Sequence, residues 1–302
     1  MSRVEHHAAR MARARTSLEG LSLGDAFGER FFVSPSTVEG LIAQRAMPAA
    51  PWRCTDDTVM ALSIVDVLEE HGGIDQERLA HHFGRRYLAD RHRGYGPTAH
   101  DILLAIAQGE PWQRAAGDVF DGTGSMGNGG AMRVAPVGAY FENDPARAAS
   151  EAAASAEVTH THAEGQAGAI AVAVAASLID AATAPAELFS AVLARTPAGE
   201  TRDGITRASS LPLDHDVGTA VAALGNGSRV ISQDTVPFAL WCLGKCFGDF
   251  AEAMWTTVSG LGDRDTTCAI VGGILVLRRA ALPFPDDWVA AREPLDRLPG
   301  VA

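Results

Sequence analysis

The sequence predicts an all-α fold, and three observations carry that expectation. Apolar residues recur at helical spacing, or on all faces, in segment after segment. Strand-like alternation is nearly absent, and several segments start or stop on capping residues. In chain order, helices are expected over Thr16–Phe32, Asp57–His71, Gln76–Arg91, Thr98–Gln108 and Pro145–Thr159. They continue over Gln166–Ala182, Ala186–Ala194, Asp234–Phe247, Asp249–Ser259 and Asp265–Leu282. Ser17 (with Gly20 beyond), Asp75 and Pro145 read as helix starts, Gly72-Gly73 as a stop, and Pro237 as an early helix position. Gln166–Ala182 and Asp265–Leu282 are apolar on most faces, which suits the centre of a compact many-helix globule. Arg229–Ser232 is the one stretch with strand character. Arg195–Asp216, polar with scattered proline and glycine, reads as a surface loop. No linker divides residues 1–302, so a single domain is expected.

Composition narrows the function. The net charge is −12, from 25 basic and 37 acidic residues. Such a surface argues against general nucleic-acid binding and against anionic membranes. An anionic ligand would have to be held by helix N-termini, loop amides or a metal. Lys245 is the sole lysine, which reads as composition bias. Cys54, Cys242, Cys246 and Cys268 lack the spacing of a secreted disulfide scaffold and read as free thiols. Met1–Arg15 carries four arginines and no apolar stretch after them, and Ala167–Ile179 is too short to span a bilayer. A soluble cytoplasmic protein is expected.

Two acidic boxes stand out: Thr55-Asp56-Asp57-Thr58 and Gly262-Asp263-Arg264-Asp265-Thr266-Thr267. Close carboxylates repel unless protonated, solvated or neutralised by a cation. Aspartate and threonine oxygens suit Mg²⁺, Mn²⁺ or Ca²⁺. The same residues also suit helix N-caps and first turns. Both boxes open strongly apolar segments, which favours a shared metal site.

Phe120–Arg133 contains five glycines within nine residues, at 122, 124, 127, 129 and 130, and then runs into helix. Amides of such a turn make an anion nest. The segment is neither a GK[ST] phosphate loop nor a dinucleotide-binding fingerprint. Thr159-His160-Thr161-His162 precedes the apolar helix. Two histidines two apart do not share a helix face, so hydrogen-bonding loop roles are favoured over a zinc pair.

Taken together these elements resemble the ADP-ribosylglycohydrolase family. The resemblance runs from about Leu18 to Ala281. It rests on Gly20–Gly28, Trp52 with the Thr55–Thr58 box, Gly94-Tyr95-Gly96, Gly124–Arg133, Thr159-His160, Val236-Pro237 and Gly262–Thr266. It implies a many-helix orthogonal bundle with a dinuclear cleft for two Mg²⁺ (or Mn²⁺) ions. Thr55, Asp56, Asp57, Asp263, Asp265 and Thr266 match the family's metal ligands. Gly94, Gly124, Ser125, Gly127, Asn128, Gly129 and His160 match its ADP-ribose contacts, and Phe120 and Met126 match two aromatics that flank adenine. The implied reaction is hydrolysis of the bond between ADP-ribose and an acceptor, with a lean to the serine and poly(ADP-ribose) branch. Where many members carry a metal-binding glutamate, this chain has Phe32. Glu29, one helical turn earlier, is the candidate acid/base, alongside Asp56 and Asp57. The alternatives are a non-catalytic ADP-ribose-binding protein and a two-metal phosphoesterase.

Overall fold

A computed structural model describes residues 3–281, 283–298 and 300. Among them seventeen α-helices follow one another without a sheet. The first six are α1 (Arg3–Glu29), α2 (Pro35–Gln44), α3 (Asp56–His71), α4 (Gln76–Ala89), α5 (Pro97–Ala107) and α6 (Trp112–Gly117). Then come α7 (Gly129–Met132), α8 (Ala135–Tyr140), α9 (Pro145–Glu157), α10 (Ala163–Leu178), α11 (Pro185–Arg195) and α12 (Glu200–Ser210). The last five are α13 (Val217–Leu224), α14 (Ser232–Lys245), α15 (Phe250–Val258), α16 (Arg264–Leu275) and α17 (Asp286–Ala291).

The two helices expected at the centre are there. Every residue from Ala167 to Ser177 of α10 and from Thr266 to Leu275 of α16 is buried. Several local signals act as read. Asp75 caps α4 by accepting from Arg78 N (3.0 Å), Pro145 opens α9 behind the cap Asp144, and Gly72 ends α3 at φ 70°.

Four local expectations are corrected. First, α1 begins at Arg3 rather than Thr16: Met11, Ala14 and Leu18 repeat at helical spacing and are buried, while Ala12 and Arg15 face water and Arg13 pairs with Glu142 (3.0 Å). Ser17 is therefore no cap; its hydroxyl sits inside α1 and donates to the Gly273 carbonyl (2.7 Å). Second, Arg195–Asp216 is not all loop. It contains α12, whose first amides, from Glu200 and Thr201, donate to the distant Glu164 carboxylate (2.7 and 2.8 Å). A cap supplied 36 residues away leaves no local sequence signal. Third, Arg229–Ser232 forms only an isolated bridge, Gly127 with Ile231, before α14 begins. Fourth, α16 ends at Leu275; the expected end, Leu282, lies outside the described residues.

What positions the site is the contact of α1 with α16. Gly20, Gly24 and Gly28 form one ridge on α1, and each faces backbone of α16 directly. A Cβ on Gly20 would strike the Gly272 carbonyl, on Gly24 the Cys268 carbonyl, and on Gly28 the Arg264 carbonyl. The pairing descends on one helix as it climbs on the other, so the helices are antiparallel and the C-terminal end of α1 meets the N-terminal end of α16. Glycine permits the close backbone approach that any side chain would block. An aromatic cluster anchors the chain's end to the same region. Phe27 stacks on Trp288 (4.5 Å between centroids, 13° between planes) and meets Trp52 edge-on (5.6 Å). Contacts of this geometry add about 0.5–1.5 kcal/mol each beyond area burial.

Candidate active site

The antiparallel α1–α16 pair brings the end of α1 and the starts of α3 and α16 to one place. Thr55 caps α3, its hydroxyl accepting from Asp57 N (3.3 Å), so Asp56 and Asp57 occupy the first turn. Asp263 stands at the N-cap position of α16 with its carboxylate free of the helix amides, and Asp265 lies in the first turn. Asp25, on α1 between the contact glycines, is fully buried beneath the first box. Its carboxylate accepts from Thr55 N (2.9 Å), Thr55 Oγ1 (2.8 Å), Thr58 N (3.2 Å) and Thr58 Oγ1. The sequence element around Gly24-Asp25 was noticed, but its role as the cradle of the first box was not, because that role depends on a contact 30 residues away.

Asp56, Asp57, Asp263, Asp265 and Thr266 line one wall of a cleft of about 460 Å³. The two acidic boxes, some two hundred residues apart in sequence, are thus brought together. Burial and mutual repulsion raise all their carboxyls. Asp56 is pushed up to about 8, first by burial and then by the Asp25 charge. Asp57 lies well above the ordinary carboxylate range through burial and then Asp265, and Asp265 through burial and then Asp263 and Asp25. Asp25 is raised to about 6 by burial, against four hydrogen bonds that pull the other way.

Among the described residues, no group of three or more His, Cys, Asp or Glu forms a ready-made metal cluster. The donor set nonetheless fits a hard divalent cation. It offers four cleft-lining carboxylates and a threonine hydroxyl, and Asp57 Oδ2 is buried without a hydrogen-bond partner. Carboxylates so arranged favour protonation or a cation over bare charge.

The glycine loop lines the same cleft. Phe120, Ser125, Met126, Gly127, Asn128 and Gly129 line it, together with Gly94 and His160. Phe120 is exposed at φ 54°, and Met126 is partly exposed at the mouth. Ser125 Oγ accepts from Gly127 N (3.1 Å), closing the turn. Gly129 is required by packing, since a Cβ there would lie 2.8 Å from His160 Cε1. Gly124, at φ 76°, packs on Thr161 behind the wall and does not line the cleft. Thr55 also stays behind it.

His160 is buried and held neutral, its pKa lowered to about 3 by burial and then by Arg133. Its Nδ1 lies 2.7 Å from Thr159 Oγ1, which already accepts from Arg133 Nη2 (2.9 Å). The other ring nitrogen, Nε2, faces the glycine loop, where a Cβ on Gly127 or Gly129 would lie 3.0 Å from it. His162 does something unrelated, capping α10 by accepting from Glu164 N (3.1 Å). Arg133, fully buried on the cleft wall and lowered to about 9 by burial, was not singled out from sequence. It remains a cation beside Asp56. Arg229, Val230 and Ile231 complete the rim and were likewise missed.

Glu29 ends α1 and is half-buried outside the cleft lining. Burial, then the Asp25 charge, raise its pKa, with Asp263 a further contributor. At the position of the absent glutamate, Phe32 is exposed, with the Arg264 guanidinium over its ring at 4.7 Å.

Comparisons with known proteins agree on one family. The ADP-ribosylglycohydrolase family model matches residues 6–302. An uncharacterized protein of Archaeoglobus fulgidus is 31% identical over 310 aligned residues, covering 94% of this chain and 93% of its own. ADP-ribosylhydrolase ARH3 of Mus musculus is 28% identical over 323 residues, covering 92% of this chain and 86% of that protein. A solved structure titled ADP-ribosylglycohydrolase-related protein complex superposes with a TM-score of 0.69 at 22% identity, over 97% of this chain and 96% of the other, and so shares the fold. The chain belongs to the ADP-ribosylglycohydrolase family of hydrolases.

Proposed function

We propose that this protein is a divalent-metal-dependent hydrolase that cleaves the bond between the anomeric carbon of ADP-ribose and an acceptor. The observation that carries the reading is the single cleft in which both acidic boxes face the glycine loop and His160. The loop amides and the start of α5 suit the diphosphate, since helix N-termini and glycine turns hold anions without a basic surface. Phe120 and Met126 offer apolar contacts at the mouth for the adenine, methionine giving sulfur and dispersion contact in place of a second ring. His160, neutral, presents Nε2 to the ligand.

Asp56, Asp57, Asp263, Asp265 and Thr266 would hold two Mg²⁺ or Mn²⁺ ions, and Thr55 would join them by turning its hydroxyl from Asp25. Bound there, the pair supplies charge neutralisation, a template for ribose hydroxyls and an acidified water. The protein's own part is electrostatic. The carboxylate wall stabilises the positive charge that develops on the ribose as the acceptor departs. Asp25 fixes the first box through Thr55 and Thr58. Glu29, with a raised pKa, is the candidate to move the proton between acceptor and water, and its place at the edge of the cluster suits a group that approaches when substrate is bound. Gly94-Tyr95-Gly96 and the Phe120–Met126 pair support the serine and poly(ADP-ribose) branch. The single-domain reading and a cytoplasmic location complete the proposal; four buried free cysteines accord with a reducing compartment.

The test is a panel of peptides and oligomers carrying ADP-ribose through arginine, serine or ribose linkages, incubated with Mg²⁺, Mn²⁺ or chelator and read by mass spectrometry. Free ADP-ribose from the serine or polymer arms supports the proposal. AMP would instead support a phosphoesterase, and binding without any product a non-catalytic protein.

A further inference from the structure

The first acidic box is held from behind by a segment far from it in sequence. After α17 the chain runs parallel to residues 50–53: Trp52 N donates to the Ala291 carbonyl (2.7 Å) and Glu293 N to the Trp52 carbonyl (2.9 Å). This delivers the Glu293 side chain to Cys54, the residue before the Thr55 cap. Glu293 Oε1 accepts from Cys54 N (2.6 Å) and pairs with Arg93 Nη1. The same Arg93 nitrogen donates to the Cys54 carbonyl (3.1 Å), and Arg93 Nε bonds Asp90 Oδ2 (2.8 Å). Both backbone groups of Cys54 are thus tied to one largely buried ion pair.

The Arg93 main chain reaches into the box as well. The Arg93 carbonyl accepts from Asp56 N (2.6 Å). The next residue, Gly94, turns at φ 92° so that its Cα lies against Asp56; a Cβ there would be 3.2 Å from Asp56 Oδ1. Arg93 therefore holds the backbone on both sides of Thr55, up to the Asp56 amide, and Glu293 holds Arg93. The carboxylates here repel one another, and fixed geometry against repulsion requires backbone restraint.

We infer that Glu293, acting through Arg93, is a positioning residue: it fixes the Cys54–Asp56 backbone, and with it the donor geometry of the first acidic box. The inference rests on the proposed metal-dependent function. It also gives the segment after residue 281, which carries none of the motifs read from the sequence, a direct part in the site.

The experiment compares wild type, Glu293→Ala, Glu293→Asp and Glu293→Gln by thermal melting, Mn²⁺ titration calorimetry, ADP-ribose titration and steady-state kinetics. Glu293→Ala is expected to fold and to bind ADP-ribose as wild type does through the glycine loop. Its Mn²⁺ affinity and kcat should fall about 10–100-fold, as for partners that orient metal ligands, while KM changes little. Glu293→Asp keeps the charge but falls one methylene short, so it should show the same loss even if the alanine variant does not fold. Glu293→Gln keeps an acceptor for Cys54 N and should recover most of the Mn²⁺ affinity. Lower stability with unchanged Mn²⁺ affinity and kcat in Glu293→Asp overturns the inference. Failure of the underlying reading looks different: wild type itself would then release no ADP-ribose.

Discussion

The Asn128 side-chain amide donates to Asp263 Oδ2 at 2.6 Å and to Thr235 Oγ1 at 3.0 Å, so the glycine loop and the second acidic box are one hydrogen-bonded unit. The loop is tied again by Ser232 N to the Met126 carbonyl (3.1 Å) and Asn128 N to the Val230 carbonyl (3.3 Å). Ligand wall and carboxylate wall therefore share a link through one buried residue. Asn128→Ala should lower kcat/KM about 10–100-fold, as expected when a group that orients ligating carboxylates is lost. Asn128→Asp should be worse, because it sets a carboxylate against a carboxylate. Equal activity in both variants would show that the link is incidental.

Asp57 and Asp265 should be dispensable for folding and indispensable for turnover. Each is buried among like charges, so replacement by a neutral group removes repulsion. Asp57→Ala and Asp265→Ala are expected to melt no lower than wild type in chelator and to lose both catalysis and the stabilisation that Mg²⁺ gives wild type. Wild-type rates from either variant in metal-replete buffer would sink the mechanism.

The raised carboxyls set the sign of the pH dependence. Asp25 and Asp56 titrate near 6 and 8 in the folded chain without metal, against roughly 4 when unfolded. The folded state thus binds more protons across that window, and stability is lost as pH rises from about 4 to about 8. Chelator-treated protein should melt higher at pH 5 than at pH 8, and added Mg²⁺ should raise the melting temperature more at pH 8. Differential scanning fluorimetry with and without Mg²⁺ checks both signs; a metal-free melting temperature that climbs from pH 5 to pH 8 would contradict the account.

The glycine ridge predicts a loss of stability from one methyl group. In Gly24→Ala the new Cβ meets the Cys268 carbonyl, a backbone atom that cannot rotate away. Overpacking of this kind costs about 1–3 kcal/mol. Urea unfolding should register that loss, and activity should fall with it, because separating α1 from α16 shifts Asp25 from beneath the first box. Gly40→Ala, where nothing lies within 4 Å of the new Cβ, is the control and should be silent.

Much of the site was legible because its chemistry is local in sequence. Two adjacent aspartates behind a threonine cap, or five glycines in nine residues, announce themselves wherever they fold. The all-helical pattern was legible for the same reason, since α10 and α16 carry apolar residues on nearly every face. What sequence alone did not yield depends on distance. Asp25 looks like an ordinary first-helix acid until Thr55 and Thr58 close over it. α12 borrows its cap from Glu164, and Glu293 looks like a tail residue until the chain returns beside Trp52. Gly20, Gly24 and Gly28 were recognisable as a motif, but their reason, the backbone of α16, lies some 240 residues away.

The most direct measurement is a single product analysis of a purified serine-ADP-ribosylated peptide incubated with the protein in Mg²⁺ and, in parallel, in chelator. The account predicts intact ADP-ribose and unmodified peptide in Mg²⁺ and neither in chelator. AMP with a phosphoribosylated peptide, or equal release of ADP-ribose in both buffers, would contradict it.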